Sequence, residues 1–205
     1  MKPLRLFLLA SGRGTHVVNL IHAVRDGRLR GEVLRVVADR PDAHALDEDR
    51  SLGVPVVILE HYREGARLDP RAEEALLALV ASERPTVLAL CGFMRLLRGS
   101  FLERVGVPVV NVHPSLLPRF RGLEAQRQAI EAGAAETGVT VHFVDAGVDS
   151  GPIIGQQTVP VLDNDTVETL HQRIHAAEHE LYPKCVAAIA RGTVSVRGRR
   201  VVWRA

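Results

Sequence analysis

Lysine is nearly missing from this chain: Lys2 and Lys184 are the only two, and arginine supplies the rest of its 26 basic residues. Set against 24 acidic residues, that leaves a formal charge of +2. So small an excess argues against nucleic acid as an obligatory partner. Cysteine is just as scarce. Cys91 and Cys185 stand far apart and outside any CxxC pair, which excludes a disulfide framework and a zinc ribbon. No stretch approaches the roughly 18 apolar residues of a membrane span. The opening MKPLRLFLLASGRG has too short an apolar core for a signal peptide and runs straight into a glycine loop. A soluble, cytoplasmic chain is expected.

Several catalytic signatures are missing too. There is no GxSxG elbow, and neither cysteine carries the local signature of a nucleophile, so covalent catalysis is disfavoured. His171, His175 and His179 recur every four residues, a spacing that can chelate zinc on one helical face. They lack the HExxH pattern and a cysteine partner, so an amphipathic boundary stripe and no metal are expected.

What is present is alternation. The 205 residues, 46% apolar and 24% charged, suit one ordinary globular domain over 1–205. LRLFLLA (4–10) is an apolar run of strand length. After it, Val17, Leu20, Ile21 and Val24 fall at helical spacing before Gly27. Further strands are predicted over 33–39, 54–59, 86–92 and 107–112, with helices over 44–53 and 70–81, the latter burying Leu76, Leu77 and Val80. Strands apolar on both faces, separated by helices, mean a parallel sheet covered on both sides. The second half differs: 138–147 and 153–162 read as longer strands joined at VDSGP, giving mixed pairing at one edge. A helix from Thr166 to about Arg191 follows, interrupted or bent at Pro183, then a small hairpin around Arg197–Gly198. The fold class is α/β: a three-layer Rossmann-like domain with a mostly parallel central sheet, mixed at one edge.

Ligands of such sheets sit beyond the carboxyl ends of the strands, where three segments concentrate polar chemistry. SGRGT (11–15) places Gly12 and Gly14 before a helix N-terminus, a geometry suited to a phosphate monoester. It lacks the GK[ST] ending of a P-loop and the third glycine of GxGxxG, although Asp39 after the second strand keeps a dinucleotide alternative open. In VPVVNVHPSLLP (107–118), Asn111 and His113 are two apart and share one face of the strand that Pro114 ends. An amide there can hold a developing oxyanion and an imidazole can move a proton. The simpler alternative is two polar residues closing a strand. DAGVDSGP (145–152) supplies Asp145 and Asp149, either of which could stabilise a turn or face His113.

Together SGRGT, CGFMRLL (91–97), NVHPSLLP (111–118), GVTVHFVDAGVDSGPII (138–154) and EHELYP (178–183) resemble the folate-dependent formyltransferases, in order along almost the whole chain. The resemblance is strongest to the branch acting on a phosphoribosyl glycinamide in purine synthesis. It implies transfer of a formyl group from 10-formyltetrahydrofolate, a co-substrate, with no metal. By that resemblance Asn111 would hold the oxyanion, His113 would be the general acid/base, and Asp149 would sit beside His113 and tune it. Folate would lie against Met94, Arg95, Leu96 and Leu97, against Asn111, and against Asp145, Ala146, Gly147, Val148 and Asp149. The ribonucleotide would meet Gly14, Thr15 and His16 at its phosphate, and His175 and Glu178 at its amine end. Arg67 and Arg71 are both candidates for the folate tail. The chain departs from the family at Thr15-His16, where Ser-Asn is usual, and at His175, where glutamine or lysine is expected. PRFRG (118–122) is closer to the tRNA-formylating branch. A methionyl-tRNA formyltransferase, a formyltetrahydrofolate deformylase and a non-catalytic nucleotide-binding module are the alternatives. The first two are disfavoured by chain length. The expected partners are small molecules, without nucleic acid or membrane, on a monomer or homodimer.

Overall fold

The computed structural model describes residues 3–41, 52–60 and 65–204, in two compact units, Met1–Val110 and Asn111–Ala205. The helix expected over 44–53 falls largely outside the described residues.

In the first unit, β1 (Leu4–Ala10), β2 (Gly31–Ala38), β3 (Val56–Ile58) and β4 (Val87–Leu90) alternate with α1 (Thr15–Arg25), α2 (Pro70–Glu83) and α3 (Gly99–Arg104). β1 pairs in parallel with β2 and β4, and β2 with β3. Residues 6–10 of β1 are wholly buried, so both faces are covered and the strand reads as an unbroken apolar run. β2 starts at Gly31, two residues before the apolar signal. Gly31 pairs with Leu4, where a Cβ would stand 2.2 Å from the Leu4 carbonyl oxygen, so this close approach requires glycine. α1 buries Val17, Leu20, Ile21 and Ala23, with Val24 only half-buried. Asp69 caps α2 by accepting from the Arg71 amide, and Pro70 follows as the first helical residue. Leu76 and Val80 are buried as expected, whereas Leu77 is half-buried and Glu73 goes inside instead.

β5 (Val109–His113) leads into the second unit, which holds α4 (Ala125–Glu131), β6 (Glu136–Phe143), β7 (Ile153–Pro160), α5 (Val167–Ala190), β8 (Val194–Arg197) and β9 (Arg200–Trp203). β6 and β7 are antiparallel. The strand order β3-β2-β1-β4-β5-β6-β7 puts this pair at one edge of a mostly parallel α/β sheet, as the alternation predicted. α5 packs on β6 and β7 and buries Leu170, Ile174, Tyr182 and Val186. Its N-terminus is closed by a capping box between Thr166 and Thr169. Of the interruption or bend expected at Pro183, the interruption does not occur: Pro183 is buried within one helix that runs from Val167 to Ala190. β8 and β9 form a separate two-stranded ribbon. No described helix is long and apolar enough to cross a membrane.

Candidate active site

Val109, Val110 and Val112 anchor β5 in the core, while Asn111 and His113 project from its end. The chain beyond Pro114 is held by side chains of β6 and β7. Thr140 Oγ1 donates to the Ser115 carbonyl (2.6 Å) and accepts from the Leu117 amide (3.1 Å). Gln156 Nε2 donates to the Leu117 carbonyl at 3.0 Å, and Ser115 Oγ to the Arg119 carbonyl at 2.6 Å. This tight return brings the Phe120 carbonyl within 2.8 Å of His113 Nε2. The other ring nitrogen, Nδ1, lies 3.3 Å from Asp149 Oδ2. Both nitrogens of a buried imidazole thus face oxygen acceptors. A neutral ring can donate to only one of them, an imidazolium to both.

Asp149 has positive φ (46°), and its Oδ2 also accepts from the Gly122 amide at 2.9 Å. Its Oδ1 is 3.7 Å from Nε2 of His142, too long for a direct hydrogen bond. Burial pushes the Asp149 carboxyl up, but contact with His142, the charge of His113 and the Gly122 amide outweigh it, and its pKa lies below the ordinary value.

His142 did not emerge from the sequence. It is buried on β6, next to a register irregularity between Val141 and His142, the kind of bulge that re-aims a side chain beside a site. Its Nδ1 lies 2.9 Å from the Phe143 carbonyl and therefore carries a hydrogen. In the neutral ring Nε2 is then an acceptor, 3.4 Å from Asn111 Nδ2. Asn111 retains a second amide hydrogen for another acceptor. The signal for His142 was its alternation with Thr140, a repeat of the Asn111–His113 spacing.

The two aspartates of the 145–152 turn separate by role. Asp145 Oδ1 accepts from Ser150 Oγ (2.6 Å) and from the Gly147 amide (3.1 Å), an Asx turn. Asp149 is the one that meets His113. Ala146, Gly147 and Val148 are exposed on the loop between them. His175 and Glu178 lie on α5, with Glu178 buried. The histidine stripe stacks along the helix, with ring centroids 5.8 Å apart for His171–His175 and 4.0 Å for His175–His179.

In the first unit Gly14 takes a left-handed conformation (φ 79°) at the N-terminus of α1, which no side chain caps. Thr15 is exposed and His16 half-buried. Met94 and Leu96 are exposed, whereas Leu97 is 7% exposed, so Leu97 can offer a ligand little beyond its backbone. Arg67 and Arg71 are both exposed, but only Arg67 bridges to Leu96. Asp39 is no ribose ligand of a dinucleotide fold: it is 2% exposed, and its Oδ2 accepts from Arg95 Nε at 2.5 Å.

Residues 4–186 match the formyl transferase family model. The chain is 40% identical to phosphoribosylglycinamide formyltransferase of Mycobacterium tuberculosis, over 96% of this chain and 90% of that protein. It is 39% identical to the trifunctional purine biosynthetic protein adenosine-3 of Drosophila melanogaster over 94% of this chain. It spans only 14% of that much longer relative. Among solved structures, glycinamide ribonucleotide transformylase 1 from Symbiobacterium toebii superposes with a TM-score of 0.91 at 42% identity, covering 98% of this chain and 94% of the other. Family model, relatives and fold agree: the chain belongs to the formyl transferase family, among the phosphoribosylglycinamide formyltransferases.

Proposed function

We propose that this protein is a single formyltransferase domain that moves the formyl group of 10-formyltetrahydrofolate to the glycinamide amine of 5'-phosphoribosylglycinamide, in purine synthesis. The observation that carries the reading is the Asn111–His113–Asp149 constellation. An amide donor and a carboxylate-backed imidazole stand on the end of one strand, with His113 Nδ1 3.3 Å from Asp149 Oδ2.

The amine attacks the formyl carbon, and the carbonyl π electrons pass to oxygen. The second Asn111 amide hydrogen and the His113 imidazolium stabilise that oxyanion. The attacking nitrogen then loses a proton and the folate nitrogen gains one as the C–N bond to folate breaks. His113 Nε2, freed from the Phe120 carbonyl, manages that transfer, while Asp149 holds the ring and balances its charge. Attack is direct, with no covalent enzyme intermediate and no metal. Folate is assigned to Met94, Arg95, Leu96 and Leu97 and to the 145–149 loop, with its acidic tail on Arg67, the arginine bridged to Leu96. The phosphate is assigned to Gly14, Thr15 and His16, and the amine end to His175 and Glu178. The protein works in the cytoplasm on small molecules, as a monomer or homodimer.

The test is formyl transfer by the purified protein, followed by absorbance of the released tetrahydrofolate. Release that depends on the ribonucleotide supports the proposal. Equal release without any acceptor makes the protein a hydrolase and overturns it.

A further inference from the structure

Away from the reacting centre, Asp39 and Arg95 form a buried ion pair. Asp39 closes β2, and its side chain is 1% exposed; that of Arg95 is 9% exposed. Arg95 Nε donates to Asp39 Oδ2 at 2.5 Å, and its Nη1 donates to the Gly65 carbonyl. Asp39 Oδ1 is buried and has no hydrogen-bond partner among the described residues. A carboxylate so desolvated persists as a charge only with a cation against it. Arg95 is that cation, and its planar fork reaches the carboxylate and the Gly65 carbonyl together.

Arg95 belongs to the segment 92–98, whose flanks are tied by backbone bonds. The Met94 amide donates to Ser11 Oγ (2.9 Å), and the Leu96 amide to the Ala66 carbonyl (2.7 Å). The Arg98 amide donates to Glu73 Oε1 at 3.1 Å. Met94 and Leu96 point to solvent, at 63% and 39% exposure. Between them Arg95 turns back into the unit.

We infer that Asp39 is a positioning residue for the folate-facing segment: it anchors Arg95, so that Arg95 acts through its grip on Asp39 and Gly65 while the neighbouring backbone meets the ligand. The inference rests on the assignment of folate to residues 94–97. It adds to the reaction a residue too buried to touch any ligand, and it removes the Arg95 guanidinium from the list of ligand contacts.

The test is Asp39→Asn, which keeps the shape and one acceptor but removes the charge, made beside Arg95→Lys and the double variant. Each is checked for native thermal unfolding. KM for formylfolate should rise about tenfold or more in Asp39→Asn, as expected for misplacing a binding element, with kcat changed less than about threefold. KM for the ribonucleotide should not move. Hydrogen exchange at the Leu96 amide should quicken in the same variant, a readout independent of activity. Arg95→Lys should show the same KM defect, and the double variant should be no worse than either single one, because the two residues act as one unit. Unchanged folate KM and Leu96 exchange in folded Asp39→Asn would overturn the inference, and so would fully additive effects in the double variant. Tetrahydrofolate binding to the unaltered protein separates the two failures. No binding there overturns the folate assignment together with the inference, whereas tight binding with a silent Asp39→Asn overturns the inference alone.

Discussion

Asp149→Asn isolates one charge with little change of shape. Asp149 Oδ2 serves both the Gly122 amide (2.9 Å) and His113 Nδ1 (3.3 Å). An asparagine that places its oxygen there keeps both acceptances. Its NH2 then takes the place of Oδ1, 3.7 Å from His142 Nε2, which in the neutral ring is an acceptor. The variant should therefore fold, with stability near neutral pH within about 1 kcal/mol of the parent. What it loses is the carboxylate's field on the imidazolium. At 3.3 Å and an effective dielectric constant of about 20, that interaction is about 5 kcal/mol. Asp149 keeps 13% exposure, so solvent screens a part of it. A loss of about 3–4 kcal/mol corresponds to a kcat lower by two to three orders of magnitude. The assay is steady-state formyl transfer at saturating concentrations of both substrates, with a thermal melt as control. A folded variant within tenfold of the parental kcat would refute the pairing. Acid unfolding gives a second check. The Asp149 pKa is below its ordinary value of 3.8, so its contribution to stability is full above the unfolded pKa and is lost as pH falls through the lower folded pKa. In urea titrations, the stability that the parent owes to the Asp149 carboxylate should fall away below about pH 4, a loss that the variant should not show.

Asn111→Ala should lower kcat by about 10²–10³, the usual cost of one oxyanion donor, and leave folate affinity within a few-fold; a loss confined to KM would assign Asn111 to binding alone. Gly151→Ala should destabilise the fold by at least about 3 kcal/mol, because a Cβ there would stand 1.8 Å from the Phe143 carbonyl oxygen; chemical denaturation measures it, and a midpoint equal to the parent's refutes the close approach. Burial pushes the Cys185 thiol up to about 12, against the opposing charge of Lys184. At pH 8 its thiolate fraction is then about one in 10⁴, so a thiol reagent should label Cys185 only after unfolding, and rapid labelling of the native protein, located by peptide mass, would contradict that.

The parallel strands could be read because burial on both faces removes alternation: residues 6–10 of β1 are wholly inside, and an apolar run is all such a strand requires. The start of α2 was legible for a different reason. Its signal is local: Pro70 suits a first helical turn, and in the fold Asp69 adds a cap by bonding the Arg71 amide. What the residues by themselves left open, and only the family resemblance assigned to Asp149, depends on positions far apart in the chain. Whether Asp145 or Asp149 faces His113 is decided by the Gly122 amide, 27 residues before Asp149. Nothing within DAGVDSGP contains that choice.

His142 and Asp39 show the same limit from opposite sides. A histidine between valine and phenylalanine reads as core, and His142 is indeed 2% exposed. Its placement against Asn111 follows from β6 lying beside β5 in the sheet, next to the irregularity at Val141–His142, which only the fold reveals. Asp39, by contrast, reads as a ligand contact because it ends the second strand of a glycine-loop fold, where an acidic residue often holds a ribose. Burial decides otherwise. A carboxylate 2% exposed and held by Arg95 has no surface to offer a sugar, and freeing it from its cation would cost about 3–5 kcal/mol, the penalty for breaking one side of a buried pair. A hydroxyl returns only about 1.5–3 kcal/mol by bonding to a charge. The pair therefore stays closed, and Asp39 serves the fold of the segment around Arg95 rather than a nucleotide.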